Sequence, residues 1–343
     1  YIYINLMSVV IEPPYNKSFA SVLGELSDIL QRKGDPFKSR AYKKAEETIY
    51  AYEGEITNVD QLKGKPGIGV AVLKKLNELV ETGKIEFLEK EKKNPVNLFT
   101  QIHGIGPKKA EKLVEKNIVT IEELRNNLTE LNNVQQKGLK YYEDLQKRIP
   151  REEIIEFEKY FEQFFQQVND GNSKFEIVGS YRRKSTSSGD IDVIITNKNN
   201  DISIFNNFIN LLVEKNVLVE ILSKGNTKSM AIGTLSGEGK IARRIDFLYS
   251  PNNEYAFSVL YFTGSKAFNT SMRGHALKMN LSLNEHGLYK MENKKKGDKI
   301  DKLFDTEKDI FDHLNLEYIE PENRKDYTSI KYIKPKTPEI KII

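Results

Sequence analysis

At 343 residues, 30% charged and 38% hydrophobic, the chain is long enough for two or more domains and has an ordinary soluble composition. It has no cysteine, which excludes disulfides, thiolate zinc sites and a cysteine nucleophile, and no apolar run near the roughly 20 residues that span a bilayer, so no membrane association is expected. The net charge of +4 is mild, but basic clusters stand beside glycines in QLKGKP, GPKKAEK and YRRK, so local patches matter more than the sum.

Residues 1–14 read as an N-terminal tail, with Tyr1 to Leu6 preceding the first methionine, Met7. From Ser18 to Arg32 apolar residues recur at helical spacing, and a second such pattern runs from Arg40 to Tyr50. KGKPGIGVAVLKKLNELVETGK is then a glycine-rich turn feeding an amphipathic helix that ends at Gly83, and TQIHGIGPKKAEKLVEKNI repeats the design. Gly67 with Gly69, and Gly104 with Gly106, lead into helix N-termini, where unpaired N–H groups and the positive dipole end favour a phosphate. Glycine lets a sugar-phosphate backbone approach closely, and nearby lysines add charge. One such copy could be a plain turn between packed helices. Two with the same flanks favour a pair of DNA clamps, each resembling a helix-hairpin-helix motif.

Helical patterning continues through EFEKYFEQFFQQV to about Val168, and after NDGNSK the period changes. FEIVGS, IDVIIT, VLVEIL, MAIGTL, RRIDFLYS and SVLYFTG are short, rich in Val, Ile and aromatics, and read as strands, so the second half, from near Pro150, is mixed α and β. Asp190 and Asp192 project to one face of a strand while Ile191 and Val193 point into the core. Asp246, between Ile245 and Phe247, is a third acid in the same setting. Burying like charges costs on the order of several kcal/mol unless a cation sits between them, and an all-oxygen site suits Mg²⁺. An isolated Asp-x-Asp is commonly a solvated edge. Here GSYRR precedes it, a Gly-Ser turn opening a helix that could face a triphosphate, with Arg183 to pair with its oxygens. Phosphate cradle plus paired acids implies nucleotidyl transfer.

GSYRRKSTSSGDIDVIIT, LSKGNTKSM, RRIDFLYS, LYFTGSKAFNTSMRGHAL and EKDIFDHL resemble, in order and spacing, the palm and fingers of family X DNA polymerases. The likeness, nearest to the beta type, extends through AYKKAEETI, both hairpins and LKYYEDLQKRIPREE to about Tyr327. It implies an α+β multidomain chain: a helical lyase-like domain with the first hairpin (15–92), a DNA-binding helical subdomain with the second (93–149), a nucleotidyltransferase palm on a mixed β-sheet (150–252), a nascent-pair-binding subdomain (253–335) and a C-terminal tail (336–343). The implied activity is template-directed gap filling in base-excision repair, with 5′-deoxyribose-phosphate lyase activity, by a monomer acting on gapped or nicked duplex DNA and deoxynucleoside triphosphates. With few residues before the first helix, no further N-terminal partner-binding domain is expected. The Lys-, Asn- and Ile-rich vocabulary suggests an AT-rich genome, which could be viral. The expected location is nuclear for a cellular protein, cytoplasmic or viral otherwise.

By the resemblance, Asp190 and Asp192 bind two Mg²⁺ ions, for which Mn²⁺ could substitute, and Asp246 binds the catalytic ion and helps deprotonate the primer 3′-hydroxyl. Arg148, Gly179, Ser180, Arg183 and Gly189 match positions around the triphosphate, although Arg148 could instead pair with Glu152 or Glu153. Tyr261, Phe262 and Gly264 lie under the sugar, with a cis Gly264-Ser265 bond; Asn269 and Arg273 contact the nascent pair, and Lys228 and Arg244 the primer or template backbone. A monovalent cation, Na⁺ or K⁺, is implied at the carbonyls of Lys63, Lys65 and Ile68, and of Thr100, Ile102 and Ile105. Lys75 matches the Schiff-base lysine, with Lys38, Tyr42 and Lys63 holding the 5′-phosphate.

This sequence departs from the family pattern at four places. Lys74 stands where the family often has an acid, Ala71 replaces a phosphate-binding lysine, Lys266 replaces an acid near the incoming base, and His286 replaces a tyrosine beside Glu285. Lyase activity with a weaker hold on the 5′-phosphate is therefore expected. Two rivals are a template-independent nucleotidyltransferase, against which Asn269, Arg273 and the paired hairpins argue, and a DNA-binding scaffold without chemistry, against which the three acids argue.

Overall fold

The computed structural model describes residues 11–333 except 236, 238, 294 and 326; most of the expected N-terminal tail and all of the C-terminal one lie outside the described residues. The chain divides between Glu143 and Asp144 into two compact units.

The first unit is helical. Helices Asn16–Arg32 and Pro36–Tyr50 pack together, the second opened by Asp35, whose side chain accepts the Lys38 N–H, and by Pro36 at the first turn. Phe19, Leu23, Ala45, Ile49, Leu62, Val72 and Leu76 close one core over helix Val70–Thr82, which stops at Gly83 in the left-handed conformation, the stop expected from the sequence. A second core gathers Phe99, Ile102, Ile105, Leu113, Leu124 and Leu139 around helix Pro107–Glu115. The buried isoleucine of each Gly-Ile-Gly, Ile68 and Ile105, anchors its turn in its own core. Gly67 and Gly104 both have positive φ, and at Gly67 a Cβ would lie 2.8 Å from the Lys44 side chain, so the turn needs glycine for conformation and for space.

The second unit is a mixed five-stranded sheet covered by helices Arg151–Val168 and Ser203–Glu214. Its spatial order is Ser173–Ile177, Ile191–Asn197, Arg243–Tyr249, Lys228–Gly233, Leu218–Lys224. The central pair, Ile191–Asn197 with Arg243–Tyr249, is parallel and the other pairings are antiparallel. Ile191, Val193, Ile195, Ile245 and Phe247 face an aromatic-rich core with Phe157, Phe161 and Phe208. A further apolar cluster around Phe257, Phe268 and Phe311 holds helices Lys266–Lys278 and Glu307–His313 against the antiparallel strands Leu281–Asn284, Gly287–Glu292 and Lys295–Lys299.

One expected strand is a helix. SVLYFTG belongs to helix Tyr255–Thr263, buried on nearly all sides because Ala256, Phe257 and Leu260 join one cluster while Tyr255 and Val259 join another with Val178 and Ile194. A helix apolar all round carries no 3.6-residue signature, and its Val, Tyr and Phe then mimic a strand.

Candidate active site

The parallel register sets Asp192 directly opposite Asp246, and Asp190 precedes the same strand by one residue. One carboxylate oxygen from each of the three lies within 4.8 Å of the others. Burial, with Asp190 and Asp246 adding repulsion, pushes the Asp192 carboxyl up to about 7, and burial also raises that of Asp190. Arg244, expected on the nucleic-acid backbone, lies on the same strand face and grips Asp246 with Nε at 3.0 Å and a second nitrogen at 2.5 Å. The neighbouring Arg243 turns the other way, to a bidentate pair with Glu153 at 2.7 Å. That leaves Arg148 to donate to Ser187, at 2.6 Å to its carbonyl and 3.2 Å to its hydroxyl. A donor set made of carboxylates, crowded enough to hold a proton near neutrality, fits a divalent cation.

The turn before this strand supplies the rest of the cradle. Gly179 opens the short helix Gly179–Arg182 at φ 63, Ser180 donates to the Ser188 hydroxyl at 2.7 Å, and Arg183 donates to the Thr263 carbonyl at 2.5 Å. A Cβ on Gly179 would sit 2.6 Å from Asp192 Oδ2, so the backbone closes tightly on that acid, whereas one on Gly189 would meet Arg148 at an ordinary 3.6 Å. Gly179→Ala adds both a contact with the Asp192 carboxylate and an unfavourable φ. It is expected to cost about 1 to 3 kcal/mol in urea unfolding, with a loss below ~0.5 kcal/mol ruling out the contact as a constraint.

The Gly264-Ser265 peptide is cis, as expected, and a Cβ added at Gly264 would lie 3.4 Å from the Arg183 guanidinium. Tyr261 and Phe262 form an edge-to-face pair with centroids 5.2 Å apart, and the Asn269 amide donates to the Tyr261 carbonyl at 2.6 Å. Tyr261, Asn269 and Arg273 line one small hollow. Asp192, Asp246, Lys228 and Phe262 line a cleft of about 200 Å³. His286 pairs with Glu254 at 2.7 Å and Lys266 opens helix Lys266–Lys278.

Sequence reasoning missed the polar knot that fastens this region. Arg182 bonds Glu176 at 2.5 Å, Thr263 at 3.0 Å and Glu307 at 2.7 Å; Glu307 in turn takes a 2.6 Å bond from Arg324. Arg324 is fully buried among Phe268, Phe311 and Tyr318, and its carbonyl accepts the Ser265 N–H.

In the helical unit, Lys75 lies at 2.6 Å from Glu78, and Tyr42 is near enough to Lys75 and Lys38 to feel both charges, though burial raises its phenol. Lys38 pairs with Asp35 and Lys63 with Asp60. The two glycine turns share a hydrogen-bond pattern, Ile68 N–H to Lys65 carbonyl and Ile105 N–H to Ile102 carbonyl, both at 3.1 Å. Thr100 closes the short helix Pro95–Phe99. Gly69 and Gly106 are the N-caps of the helices that follow.

Four family descriptions match the chain: a helix-hairpin-helix domain over 14–85, the fingers domain of DNA polymerase lambda over 97–146, the DNA polymerase beta palm over 148–252 and the DNA polymerase beta thumb over 258–325. The chain is 33% identical over 340 residues to DNA polymerase lambda of Arabidopsis thaliana, covering 92% of this chain and 63% of that protein. It is 31% identical over 324 residues to DNA polymerase lambda of Rattus norvegicus, covering 90% and 56%. To DNA-directed DNA/RNA polymerase mu of Homo sapiens it is 25% identical over 349 residues, covering 90% and 69%. It thus spans less than two thirds of the length of both lambda relatives.

Proposed function

Because the chain belongs to the family X DNA polymerases, we propose that it fills short gaps in duplex DNA by template-directed nucleotidyl transfer and that its helical unit excises a 5′-deoxyribose phosphate. The observation that carries this reading is the register that brings Asp192 and Asp246 together beside Asp190. Bound to these carboxylates, a pair of Mg²⁺ or Mn²⁺ ions supplies activation of the primer 3′-hydroxyl and charge neutralisation on the triphosphate.

The chain's own part is alignment. Ser180, Arg183, Arg148 and the backbone at Gly179 and Gly189 face the triphosphate, and Asp246, oriented by Arg244, is the acid assigned to the primer hydroxyl proton. Tyr261, Phe262 and Gly264 support the sugar, while Asn269, fixed to the Tyr261 carbonyl, and Arg273 read the nascent pair. Lys228 lines the same cleft as the acids and serves the nucleic-acid backbone. The paired glycine turns at Gly67, Gly69, Gly104 and Gly106 grip a DNA strand on either motif, with a monovalent cation at the carbonyls of Lys63, Lys65, Ile68, Thr100, Ile102 and Ile105. The domain limits follow the family: lyase-like 15–92, DNA-binding 93–149, palm 150–252 and nascent-pair-binding 253–335. The protein acts as a monomer in base-excision repair, in the nucleus if it is a cellular protein.

The test is a one-nucleotide gap bearing a 5′-phosphate, with each deoxynucleotide offered separately and a matched primer lacking the template. Insertion of the complementary nucleotide in preference to the others supports the reading; equal extension without template would establish a template-independent transferase. In the same substrate made with a 5′-deoxyribose phosphate, Lys75→Ala should abolish borohydride trapping and sugar-phosphate release. Ala71 removes one charged contact, worth about 1 to 2 kcal/mol, so the affinity for the 5′-phosphate should rise on Ala71→Lys.

A further inference from the structure

Resting on the lyase reading above, the geometry around Lys75 leads us to propose that Glu78 is the general base of the elimination step, taking the C2′ proton of the sugar once it is joined to Lys75. Both residues lie on helix Val70–Thr82, three positions apart and on one face, with Glu78 Oε2 2.6 Å from Lys75 Nζ. The second carboxylate oxygen accepts the Glu86 N–H at 2.7 Å, at the start of helix Glu86–Lys92. One oxygen is therefore anchored to the backbone while the other is aimed at the nucleophile. The Lys75 and Glu78 side chains are 27% and 23% exposed, so both are part-buried and still reachable from solvent.

The adjacent position cannot do this work. Lys74 is a cation, and one residue along a helix points about 100° away from Lys75. Burial alone would lift the Glu78 carboxyl, but the Lys75 hydrogen bond and the Glu86 N–H outweigh it and hold the group ionised, ready to accept a proton. The carboxylate first faces the ammonium form of Lys75, and the neutral amine is what attacks C1′. Once nitrogen is bound to C1′ as an iminium and water has left, Glu78 Oε2 lies beside the atom adjacent to C1′. The C2′–H bond then breaks with its proton going to Glu78, C2′=C3′ forms, and the C3′–O bond breaks, its electron pair leaving on the 5′-phosphate of the downstream strand. Hydrolysis of the imine frees Lys75, and the Glu78 proton passes to water. No oxidant or reductant is needed.

Glu78→Gln keeps an oxygen for the Glu86 N–H, so the fold has its anchor while the base is gone. On a 5′-deoxyribose-phosphate substrate, the full chain carrying this change should form the borohydride-trapped adduct within about twofold of the unaltered protein but release the sugar phosphate 10- to 100-fold more slowly, toward the low end of general-base effects. Deuterium at C2′ should slow release in the variant, and Glu78→Asp should recover part of the rate. Release at the original rate, or trapping lost together with release, would overturn the assignment, the first by removing any need for the base and the second by making Glu78 a mere support for Lys75. Faster trapping with unchanged release would also overturn it, since Glu78 would then only hold the amine protonated. Failure of the lyase reading itself is separately visible, because Lys75→Ala would then trap as well as the unaltered chain.

Discussion

Replacing Asp192 by Asn is expected to cut single-nucleotide gap filling by at least ~10³-fold, the scale of losing an electrostatic stabiliser in phosphoryl transfer, while gapped DNA still binds. The same change should make the metal-free protein more stable above neutrality. The Asp192 carboxyl is pushed up to about 7 by burial first and by Asp190 and Asp246 second. A folded value raised above the unfolded one means that stability is fully present below the ordinary aspartate range near pH 4 and is lost as pH rises through about 7. Asn carries no charge to repel, so the gain in melting temperature in chelator should be small near pH 4 and several degrees at about pH 8. Magnesium affinity should climb over the same interval, because the ion displaces a proton. Equal melting shifts at both pH values would remove the like-charge account of the site.

Glu307→Ala is expected to destabilise the second unit by about 3 to 5 kcal/mol, because it takes the carboxylate partner from the fully buried Arg324 and one of two carboxylates from the part-buried Arg182. Urea unfolding measures the loss, and a double-mutant cycle with Arg324→Met should show coupling of about 0.5 to 3 kcal/mol. The apparent KM for the incoming nucleotide should rise as well. Arg182 also holds Thr263, whose carbonyl is the partner of Arg183. A loss under ~1 kcal/mol would mean that water replaces Glu307 without penalty.

What was legible in the sequence is what local spacing encodes. Asp190 and Asp192 share a face because a strand repeats every two residues, and Gly67 and Gly104 announce tight turns because little else adopts their φ. Arg243 and Arg244 had to face opposite ways for the same reason, and alternation also puts Arg244 beside Asp246, two positions on; Glu153, the partner of Arg243 from 90 positions away, could not be read from it. Helix Tyr255–Thr263 was hidden by burial on every side. The knot was hidden by distance: Arg182 and Glu307 are 125 positions apart, and nothing near either one names the other. Glu78 was within reach, since an acid three residues after the assigned lysine is the ordinary helical pairing.

The buried seat of Arg324 sets a limit on when the molecule can work. The three aspartates emerge from the ribosome well before it, yet the turn at Ser265 takes its backbone partner from Arg324 itself, and the Lys325 carbonyl accepts the Ser265 hydroxyl. A translation product that stops short of this stretch would own all three aspartates and still leave the Gly264-Ser265 turn unfastened. Premature termination there should yield a chain that grips DNA but cannot copy it.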